Sequence, residues 1–337
     1  MNVQPTRRRF LAQTAGAGLA LSAPLQFAQA QATSDWPRNP LKCVVPFAAG
    51  GATDALSRLI ARGVSANLGQ PVVIDNRGGA GGIPGTDAVA KAAPDGYTFG
   101  ATTLTQLVSN QILYEKLPYD VERELSLLSL TATVPLVLCV HPSLPVSSAP
   151  ELLAYLKRNK GKYSYGSYGT GNFGHLAAMH ISESQDAGMV HAPYRGETPM
   201  LLDLIGGQIQ MAFGSVLSIK PHVEAGKLKA IGITGSDRVK AMPNVPTLAE
   251  QGLSDDVYRM NPGWIAFIAP RQVPAAIQQR LASEIRTVTM LPDVREQITG
   301  MGFAPVGNTP EQFVAAYKAE FPVWRKLIKQ AGVKPQS

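Results

Sequence analysis

The chain has 337 residues, a formal net charge of +7, 45% hydrophobic residues and two cysteines. This length suggests two lobes or one large α/β unit. The basic residues are scattered along the chain, which excludes the clustered positive charge typical of a nucleic-acid partner. Cys43 and Cys139 each lie in an apolar run without metal-site spacing, so we predict buried free thiols, although export would permit a disulfide.

The N-terminus fits an export signal. Residues 6–11, Thr-Arg-Arg-Arg-Phe-Leu, match the twin-arginine type and precede an apolar stretch that is interrupted by Pro24, too short and broken for a membrane anchor. An Ala-Gln-Ala sequence ending at residue 30 predicts cleavage there, so residues 1–30 are expected to be removed. Without the three signal arginines the charge falls to +4, from 28 basic minus 24 acidic residues. We therefore predict a protein exported to the periplasm.

Strand and helix patterns alternate along the remaining chain. The apolar runs that predict strands are residues 41–47, 71–75, 97–102, 134–141, 163–167, 188–193, 210–214, 228–234 and 263–269. The stretches with apolar residues at helical spacing are a helix from residue 53 onward and residues 150–159, 197–205, 274–290 and 309–331. Pro322 is expected to kink or split the last helix. The alternation predicts the α/β class, with parallel sheets connected by crossover helices.

The first strand leads into a glycine loop. Residues 44–54, Val-Val-Pro-Phe-Ala-Ala-Gly-Gly-Ala-Thr-Asp, predict a strand, a loop and the start of a helix. Backbone N–H groups at a helix N-terminus favour anions, so a carboxylate is a natural ligand here. Gly50 and Gly51 would permit its close approach, and Thr53 and Asp54 are predicted N-caps. The alternative is a plain strand-to-helix connection that binds nothing.

A second glycine loop matches a nucleotide-binding pattern. Residues 169–174, Gly-Thr-Gly-Asn-Phe-Gly, follow a predicted strand and open a helix, as a dinucleotide fingerprint does. The fingerprint also expects an acidic residue at the end of the next strand, where this chain has a proline and an arginine. We favour a carboxylate cradle, which needs the same backbone geometry and no ribose-binding acid. The alternative is an exported NAD(P)-dependent oxidoreductase that uses Gly169, Gly171 and Gly174.

The sequence lacks a catalytic constellation. The five histidines do not pair at the spacing of metal ligands on a helix, and no serine lies in a nucleophile elbow. His175 could donate to a ligand or stabilise a helix start. Asp54 could act as a general base, but its position favours a cap. Arg195 could bind a carboxylate, or it could be a solvated or interlobe arginine. Tyr194 could line a cleft or pack. We expect no enzymatic activity, metal or cofactor.

Several motifs together resemble the Bug-type (TctC-like) periplasmic substrate-binding proteins of tripartite tricarboxylate transport systems. The resemblance covers nearly the whole mature chain and rests on residues 45–54, 69–73, 76–77, 79–82, 90–98, 116–120, 191–196, 206–208, 225–228 and 243–247. It implies a type II periplasmic-binding-protein fold of Venus-flytrap architecture, with two lobes whose central sheets are flanked by helices. Lobe 1 is expected at residues 31–132 plus 258–337 and lobe 2 at residues 133–257. The chain would cross between them at residues 127–140 and 259–269.

The resemblance also implies that strand-to-helix loops of both lobes bind a ligand carboxylate. Carried over position by position, the lobe 1 residues are Phe47, Ala48, Ala49, Gly50, Gly51, Thr53, Asp54, Thr102 and Thr103. Those of lobe 2 are Gly169, Thr170, Gly171, Asn172, Phe173, His175, Tyr194, Arg195, Gly196 and Ser215. The chain departs from the family at Phe173, in a loop often rich in small hydroxyl residues, and at Arg195, where lysine is usual. Phe173 would narrow the pocket or stack on an aromatic ligand.

We therefore interpret the chain as a monomeric receptor that captures a small organic carboxylate, namely a di- or tricarboxylate, an acidic amino acid or an aromatic carboxylate. The resemblance implies delivery to a tripartite permease, or to a sensor, in the inner membrane. A third hypothesis is a signalling or scaffold protein of the same fold with a dead pocket. It predicts binding of neither a carboxylate nor a dinucleotide.

Overall fold

The computed structural model describes residues 36–260 and 263–330. The chain divides into two units, Met1–Arg38 and Asn39–Ser337, and every helix and strand given below belongs to the second. Residues 36–38, the described part of the first unit, form neither helix nor strand. The predicted export signal lies outside the described residues.

The elements alternate between strands and helices. The strands are β1 (Leu41–Val45), β2 (Val72–Asn76), β3 (Thr98–Thr102), β4 (Leu125–Val134), β5 (Leu136–Val140), β6 (Ser164–Ser167), β7 (Val190–Pro193), β8 (Met211–Ser215), β9 (Lys229–Ile233), β10 (Gly263–Pro270) and β11 (Ala304–Pro305). The α-helices are α1 (Ala52–Leu68), α2 (Ile83–Ala90), α3 (Asn110–Leu113), α4 (Val121–Glu124), α5 (Ala149–Arg158), α6 (Phe173–Ser184), α7 (Glu197–Ile205), α8 (Val216–Glu224), α9 (Asp256–Arg259), α10 (Ala275–Met290), α11 (Pro292–Gly300) and α12 (Pro310–Gln330). A 3₁₀ turn at Ala80–Gly82 precedes α2, and a π-helix at Thr105–Ser109 precedes α3.

The strands form two mixed sheets. Sheet 1 has the order β11-β4-β10-β3-β1-β2, and sheet 2 has the order β7-β6-β8-β5-β9. Within sheet 1, β1 pairs in parallel with β2 and β3, whereas β10 pairs antiparallel with β3 and β4. Within sheet 2, β6 pairs in parallel with β7 and β8, whereas β5 pairs antiparallel with β8 and β9. The α/β class is confirmed, but the expectation of purely parallel sheets is wrong.

The antiparallel strands lie where the chain passes from one sheet to the other. Strand β4 of sheet 1 ends at Val134, and β5 of sheet 2 begins two residues later, after Pro135. Strand β10 returns the chain to sheet 1. Sheet 1 therefore takes strands from both ends of the described chain and sheet 2 from its middle. The lobe boundaries that follow from this division stay a prediction.

The predicted strands and helices agree with the structure within a few residues, but several observed elements were not predicted. The helix predicted at residues 309–331 runs unbroken from Pro310 to Gln330, so the expectation that Pro322 splits it is wrong. Helix α11 was not predicted, since it buries only Val294 and Ile298. Strand β11 was not predicted either. It is only two residues long and pairs with β4, which lies far earlier in the chain, so no local sequence pattern indicates it.

The two cysteines are free and buried, as predicted. Burial raises the pKa of the Cys43 thiol to about 12 and also raises that of Cys139. Within the described residues, no helix is both long and apolar enough to cross a bilayer. Nor do the described His, Cys, Asp and Glu residues form a group of three or more that could hold a metal ion.

Candidate ligand-binding site

The N-cap of α1, at the end of the loop that follows β1, is not one of the residues predicted for it. Gly51 is the N-cap of α1 and makes no side-chain hydrogen bond, so the predicted capping by Thr53 or Asp54 is wrong. Both residues instead lie in the first helical turn. Gly50 has φ of +87°, a backbone conformation that glycine adopts without steric cost.

Asp54 holds this loop in shape. Its carboxylate accepts hydrogen bonds from the Gly50 N–H at 2.9 Å, from Arg58 Nε at 3.0 Å and from Asn76 Nδ2 at 3.0 Å. Burial raises the pKa of Asp54, but these hydrogen bonds outweigh it and hold the pKa below its usual value. Asn76 Nδ2 also donates to the Phe47 carbonyl at 3.1 Å. The Asp54 side chain is therefore committed to the loop, which disfavours a role as a general base.

The residues after β3 form a second loop, which lines the same cavity, described below, as the loop between β1 and α1. Thr102 is fully buried. The N–H and the hydroxyl of Thr103 both donate to Gln106 Oε1, at 2.9 and 2.8 Å. The N–H of Thr105 in turn donates to Thr103 Oγ1 at 3.3 Å. These hydrogen bonds fix the loop and leave the hydroxyl of Thr105 without a partner among the described residues.

The loop between β6 and α6 uses part of its own backbone donors. Asn172 is the N-cap of α6, and its Oδ1 accepts from the His175 N–H at 2.9 Å. The Gly171 N–H donates to His175 Nδ1 at 3.1 Å, in a conformation with φ of +79° at Gly171. Since these two N–H groups are already paired, the loop offers fewer free donors than the predicted cradle. Phe173, the first residue of α6, turns into the cavity described below.

His175 belongs to a stack of rings next to this loop. Its ring centroid lies 4.0 Å from that of His191, which stacks on Tyr165 at 5.0 Å. Ser167 Oγ lies 2.7 Å from His191 Nε2. Burial, and then the neighbouring His191, lower the pKa of His175 to about 3, and burial lowers that of His191 to about 4. Both rings are therefore neutral at neutral pH, and His175 stabilises the start of α6.

The turn between β7 and α7 packs against the first loop. The Ala48 N–H donates to the Arg195 carbonyl at 3.1 Å. A Cβ at Gly196, where φ is +151°, would lie only 3.2 Å from the Ala48 nitrogen. Thr198 Oγ1 donates to the Ala49 carbonyl at 3.1 Å. These contacts join the loops of sheet 1 and sheet 2 directly.

The side chains of Tyr194 and Arg195, which were predicted to contact the ligand, do not line the cavity described below. The side chain of Arg195 is exposed and lies beside Gly79. The Tyr194 hydroxyl donates to Asp203 Oδ2 at 2.7 Å.

The carboxylate of Glu197 connects three helix N-termini. Glu197 is the first residue of α7 and is 8% exposed. Its Oε2 accepts from the Ala52 N–H at the start of α1, at 3.0 Å, and from the hydroxyls of Ser215 and Ser218, at 3.0 and 2.9 Å. Its Oε1 accepts from the N–H of Ser215, the N-cap of α8, at 2.6 Å. The chain thus supplies its own carboxylate to a helix N-terminus that was predicted to receive a ligand.

These loops enclose a cavity. The space that the centre of a water molecule can reach inside it is about 60 Å³. Five aromatic residues line it, namely Phe47, Tyr168, Phe173, Trp264 and Trp324. The other lining residues are Ala48, Gly51, Ala52, Thr53, Thr103, Leu104, Thr105, Val134, Leu136, Glu197, Ser215, Gly263 and Ile265. Among the described residues, no lysine, arginine or histidine lines this cavity.

The predicted contact residues fall into two groups. Those that line the cavity are Phe47, Ala48, Gly51, Thr53, Thr103, Phe173 and Ser215. Those that do not line it are Ala49, Gly50, Asp54, Thr102, Gly169, Thr170, Gly171, Asn172, His175, Tyr194, Arg195 and Gly196. The structure brings the first group together around one space, and the ligand contacts of both groups stay a prediction.

Sequence reasoning missed four prominent residues of the cavity. Glu197 directly follows Gly196 in a motif that was already recognised, and Tyr168 directly precedes the second glycine loop. Adjacency to these motifs was a usable signal. Trp264 and Trp324 belong to β10 and α12, far along the chain from the loops, and no local pattern places them here.

The chain matches one family model and a curated relative over most of its length. The model of the tripartite tricarboxylate transporter family receptor matches residues 56–333. A UPF0065 protein from the tcbD–tcbE intergenic region of Pseudomonas sp. (strain P51) is 37% identical over 322 residues, covering 96% of this chain and 94% of that protein.

Two solved structures are similar over most of the chain. The periplasmic binding protein BugD has a TM-score of 0.84 and 30% identity, and the match covers 89% of this chain and 100% of that one. The R. palustris protein Rpa4515, solved with adipate, has a TM-score of 0.84 and 32% identity, covering 90% and 100%. The fold of two helix-flanked sheets is therefore that of periplasmic binding proteins.

Proposed function

Because the chain belongs to the tripartite tricarboxylate transporter receptor family of periplasmic solute-binding proteins, we propose that it captures a small organic carboxylate between two lobes. The bound receptor would then be presented to a tripartite permease, or to a sensor, in the inner membrane. It would act as a monomer and catalyse no reaction. The similar protein solved with adipate supports the carboxylate class.

One observation carries this proposal: four helices begin at the wall of the same cavity. Helix α1 contributes Gly51, Ala52 and Thr53. Helices α6, α7 and α8 contribute Phe173, Glu197 and the N-cap Ser215. Each helix N-terminus carries a partial charge of about +0.5, so together they favour an anion in the cavity. The one carboxylate of Glu197 offsets only part of this field.

Closure of the two lobes would complete the site. The cavity is lined from both sheets, so a ligand inside it contacts both lobes only in the closed state. In the structure, Ala48 and Arg195 are joined by a backbone hydrogen bond at this junction. We propose lobe 1 at residues 31–132 plus 258–337 and lobe 2 at residues 133–257.

Calorimetry tests the proposal. Purified, folded protein is titrated with di- and tricarboxylates, acidic amino acids, aromatic carboxylates and amino-acid zwitterions, with NAD(P) as the comparison ligand. We expect binding of at least one carboxylate and none of the dinucleotide. Absence of binding across the panel would reject the proposal in favour of a dead pocket, and tight dinucleotide binding would favour the oxidoreductase.

Export is tested separately in cells. We propose that the twin-arginine signal at residues 6–11 directs the protein to the periplasm. Fractionation should place the wild-type protein in the periplasm, and replacing Arg7 and Arg8 with lysine should retain it in the cytoplasm. Export of the double-lysine variant at the wild-type level would reject this route.

A further inference from the structure

Glu197 places a negative charge on the wall of a cavity that contains no described cationic side chain. The residue is 8% exposed, and its carboxylate is held by hydrogen bonds from neutral groups alone, on Ala52, Ser215 and Ser218. A buried carboxylate is costly unless hydrogen bonds and an opposite charge compensate it. The helix N-termini stabilise this charge, and a cationic group of a ligand beside the carboxylate would stabilise it further.

The hydrogen bonds of Glu197 do not use all of the acceptor capacity of its carboxylate. Its Oε2 has three donors, whereas its Oε1 has one, the Ser215 N–H. A carboxylate oxygen accepts about two hydrogen bonds, so Oε1 can accept one more. A ligand N–H or cation would be attracted to this position, whereas a ligand carboxylate would meet a like charge.

The aromatic walls favour the same chemistry. Phe47 and Tyr168 lie edge to face with ring centroids 6.4 Å apart, and so do Phe173 and Trp324. Aromatic faces attract ammonium groups, and the attraction is strongest where water is excluded. Together, the rings and the carboxylate resemble the way proteins recognise cationic nitrogen.

The sheet 1 side of the cavity offers groups for a ligand carboxylate. Thr53 lies in the first turn of α1, where the helix dipole favours negative charge. Thr105 opens the π-helix. Both line the cavity, and neither hydroxyl is hydrogen-bonded to another described residue. The cavity wall therefore offers hydroxyl donors on Thr53 and Thr105 as well as the carboxylate of Glu197.

We propose that Glu197 makes this receptor selective for a zwitterion, a small monocarboxylate that also carries a cationic nitrogen, and that it disfavours di- and tricarboxylates. The inference rests on the proposed function and narrows its ligand class. In this arrangement the ligand nitrogen faces Glu197 and the aromatic rings, and its carboxylate faces Thr53 and Thr105.

The test uses ligand pairs that differ only in the cationic group. Glycine betaine and 3,3-dimethylbutanoate have the same shape, since a quaternary nitrogen replaces a carbon. Leucine and 4-methylpentanoate, and phenylalanine and 3-phenylpropanoate, differ by the ammonium. Affinities are measured by calorimetry, with succinate, malate and citrate as the multiply charged acids. We expect at least one zwitterion to bind tenfold or more tightly than its partner without the cationic group and than every multiply charged acid.

The variant Glu197→Gln removes the charge while keeping the shape of the side chain. In this variant we expect loss of the preference within the pair and at least tenfold tighter binding of a dicarboxylate. Glu224→Gln removes an exposed carboxylate at the end of α8, outside the cavity, and should change neither result. Circular dichroism verifies folding, and the wild-type comparison stands even if the Gln variant does not fold.

The possible failures are distinguishable. Tighter binding by the wild-type protein of a multiply charged acid, or of a partner without the cationic group, would overturn the zwitterion proposal and leave the carboxylate receptor standing. An unchanged preference in Glu197→Gln would remove Glu197 from selectivity. If neither protein binds any member of the panel, the proposed function fails as well.

Discussion

A Cβ atom at Gly51 would lie 3.5 Å from Glu197 Oε2 and 3.6 Å from Glu197 Cβ. Gly51, the N-cap of α1, is thus adjacent to Glu197, the first residue of α7, although 145 residues separate Ala52 from Glu197. This contact joins the loop that sequence reasoning recognised with the carboxylate that it missed. It also makes the size of residue 51 a direct probe of the cavity.

Replacing Gly51 with valine should abolish ligand binding without unfolding the protein. The backbone of Gly51 has φ of −87°, which other residues adopt without strain. A Cβ alone fits at van der Waals distance, so Gly51→Ala serves as the matched control and should retain most of the affinity. The γ-carbons of valine would displace the Glu197 carboxylate from the Ala52 N–H. Calorimetry with the tightest ligand of the panel measures the effect, and wild-type affinity in Gly51→Val would exclude this loop from the site.

The His175–His191 stack should make stability depend on pH. Both pKa values are lower in the folded state, at about 3 and 4, than in the unfolded chain, where histidine has a value of 6.5. The unfolded state therefore binds protons first as the pH falls. The contribution is complete above pH 6.5 and is lost progressively toward pH 3–4. Between pH 7 and 5, protonation linkage at the buried His175 would lower the free energy of unfolding by about 2 kcal/mol.

Urea denaturation at pH 7 and pH 5 checks this effect. In His191→Phe the ring stack can persist, and Ser167 Oγ retains its hydrogen bond to the Gly169 carbonyl at 3.0 Å. The loss of stability between the two pH values should then be smaller by up to about 2 kcal/mol. His222→Gln changes a histidine on α8, outside the stack, and is the control. An equal loss in His191→Phe and the wild type would contradict the linkage.

The fold was predictable where local pattern decides it. Leu56, Leu59, Ile60, Val64 and Leu68 were predicted as the apolar face of the first helix. The first four are buried in α1, and Leu68, its last residue, is half-buried. Strand direction was not predictable in the same way, because β5 and β10 take their orientation from partners far along the chain. Local alternation of strands and helices cannot distinguish these pairings.

The candidate site was predictable in part for the same reason. The loops after β1 and β6 each contain a short motif, and Thr103 after β3 was carried over from the family resemblance. All three loops contribute residues to the cavity. Glu197 looks locally like an ordinary acidic residue in a first helical turn. Its contact with Ala52 depends on how α7 packs against the β1–α1 loop. Motifs therefore identified the loops, but only tertiary structure showed that one of them already holds a carboxylate.

Replacing Trp324 with alanine should destabilise the fold as well as enlarge the cavity. Trp324 is 1% exposed, packs edge to face on Phe173, and donates its indole N–H to Glu320 Oε2 at 3.1 Å. Truncation of a large buried aromatic residue costs about 3–5 kcal/mol. Phe321→Ala, on the same helix but only half-buried and outside the cavity, should cost less. Equal losses in urea denaturation would show that Trp324 is not a core residue.

The two thiols should be unreactive in the native protein. Cys43 and Cys139 are both fully buried, and burial raises their pKa values, so the reactive thiolate is scarce at neutral pH. A colorimetric thiol reagent should detect almost no thiol in the native protein at pH 8. In guanidinium chloride without reductant it should detect both thiols. Detection of neither in denaturant would show a disulfide between them, and rapid native reaction would contradict their burial.

Replacing Gly63 with alanine should destabilise the packing of α1 on α10. Alanine is normally favoured over glycine inside a helix by about 1 kcal/mol. At this position, however, a Cβ would lie 2.5 Å from Val288 Cγ1 and 2.8 Å from Cγ2. Overpacking of this kind costs about 1–3 kcal/mol, so the net effect should be a loss of stability.

A double-mutant cycle identifies the cause of that loss. In a Val288→Ala background the obstructing γ-carbons are absent, so Gly63→Ala should there be neutral or stabilising. Gly300→Ala, in the last position of α11 with no atom within 4 Å of its Cβ, controls for helix propensity. Urea denaturation gives the free energy of unfolding for each variant. If Gly63→Ala destabilised both backgrounds equally, contact with Val288 would not be the reason that α1 needs glycine at this position.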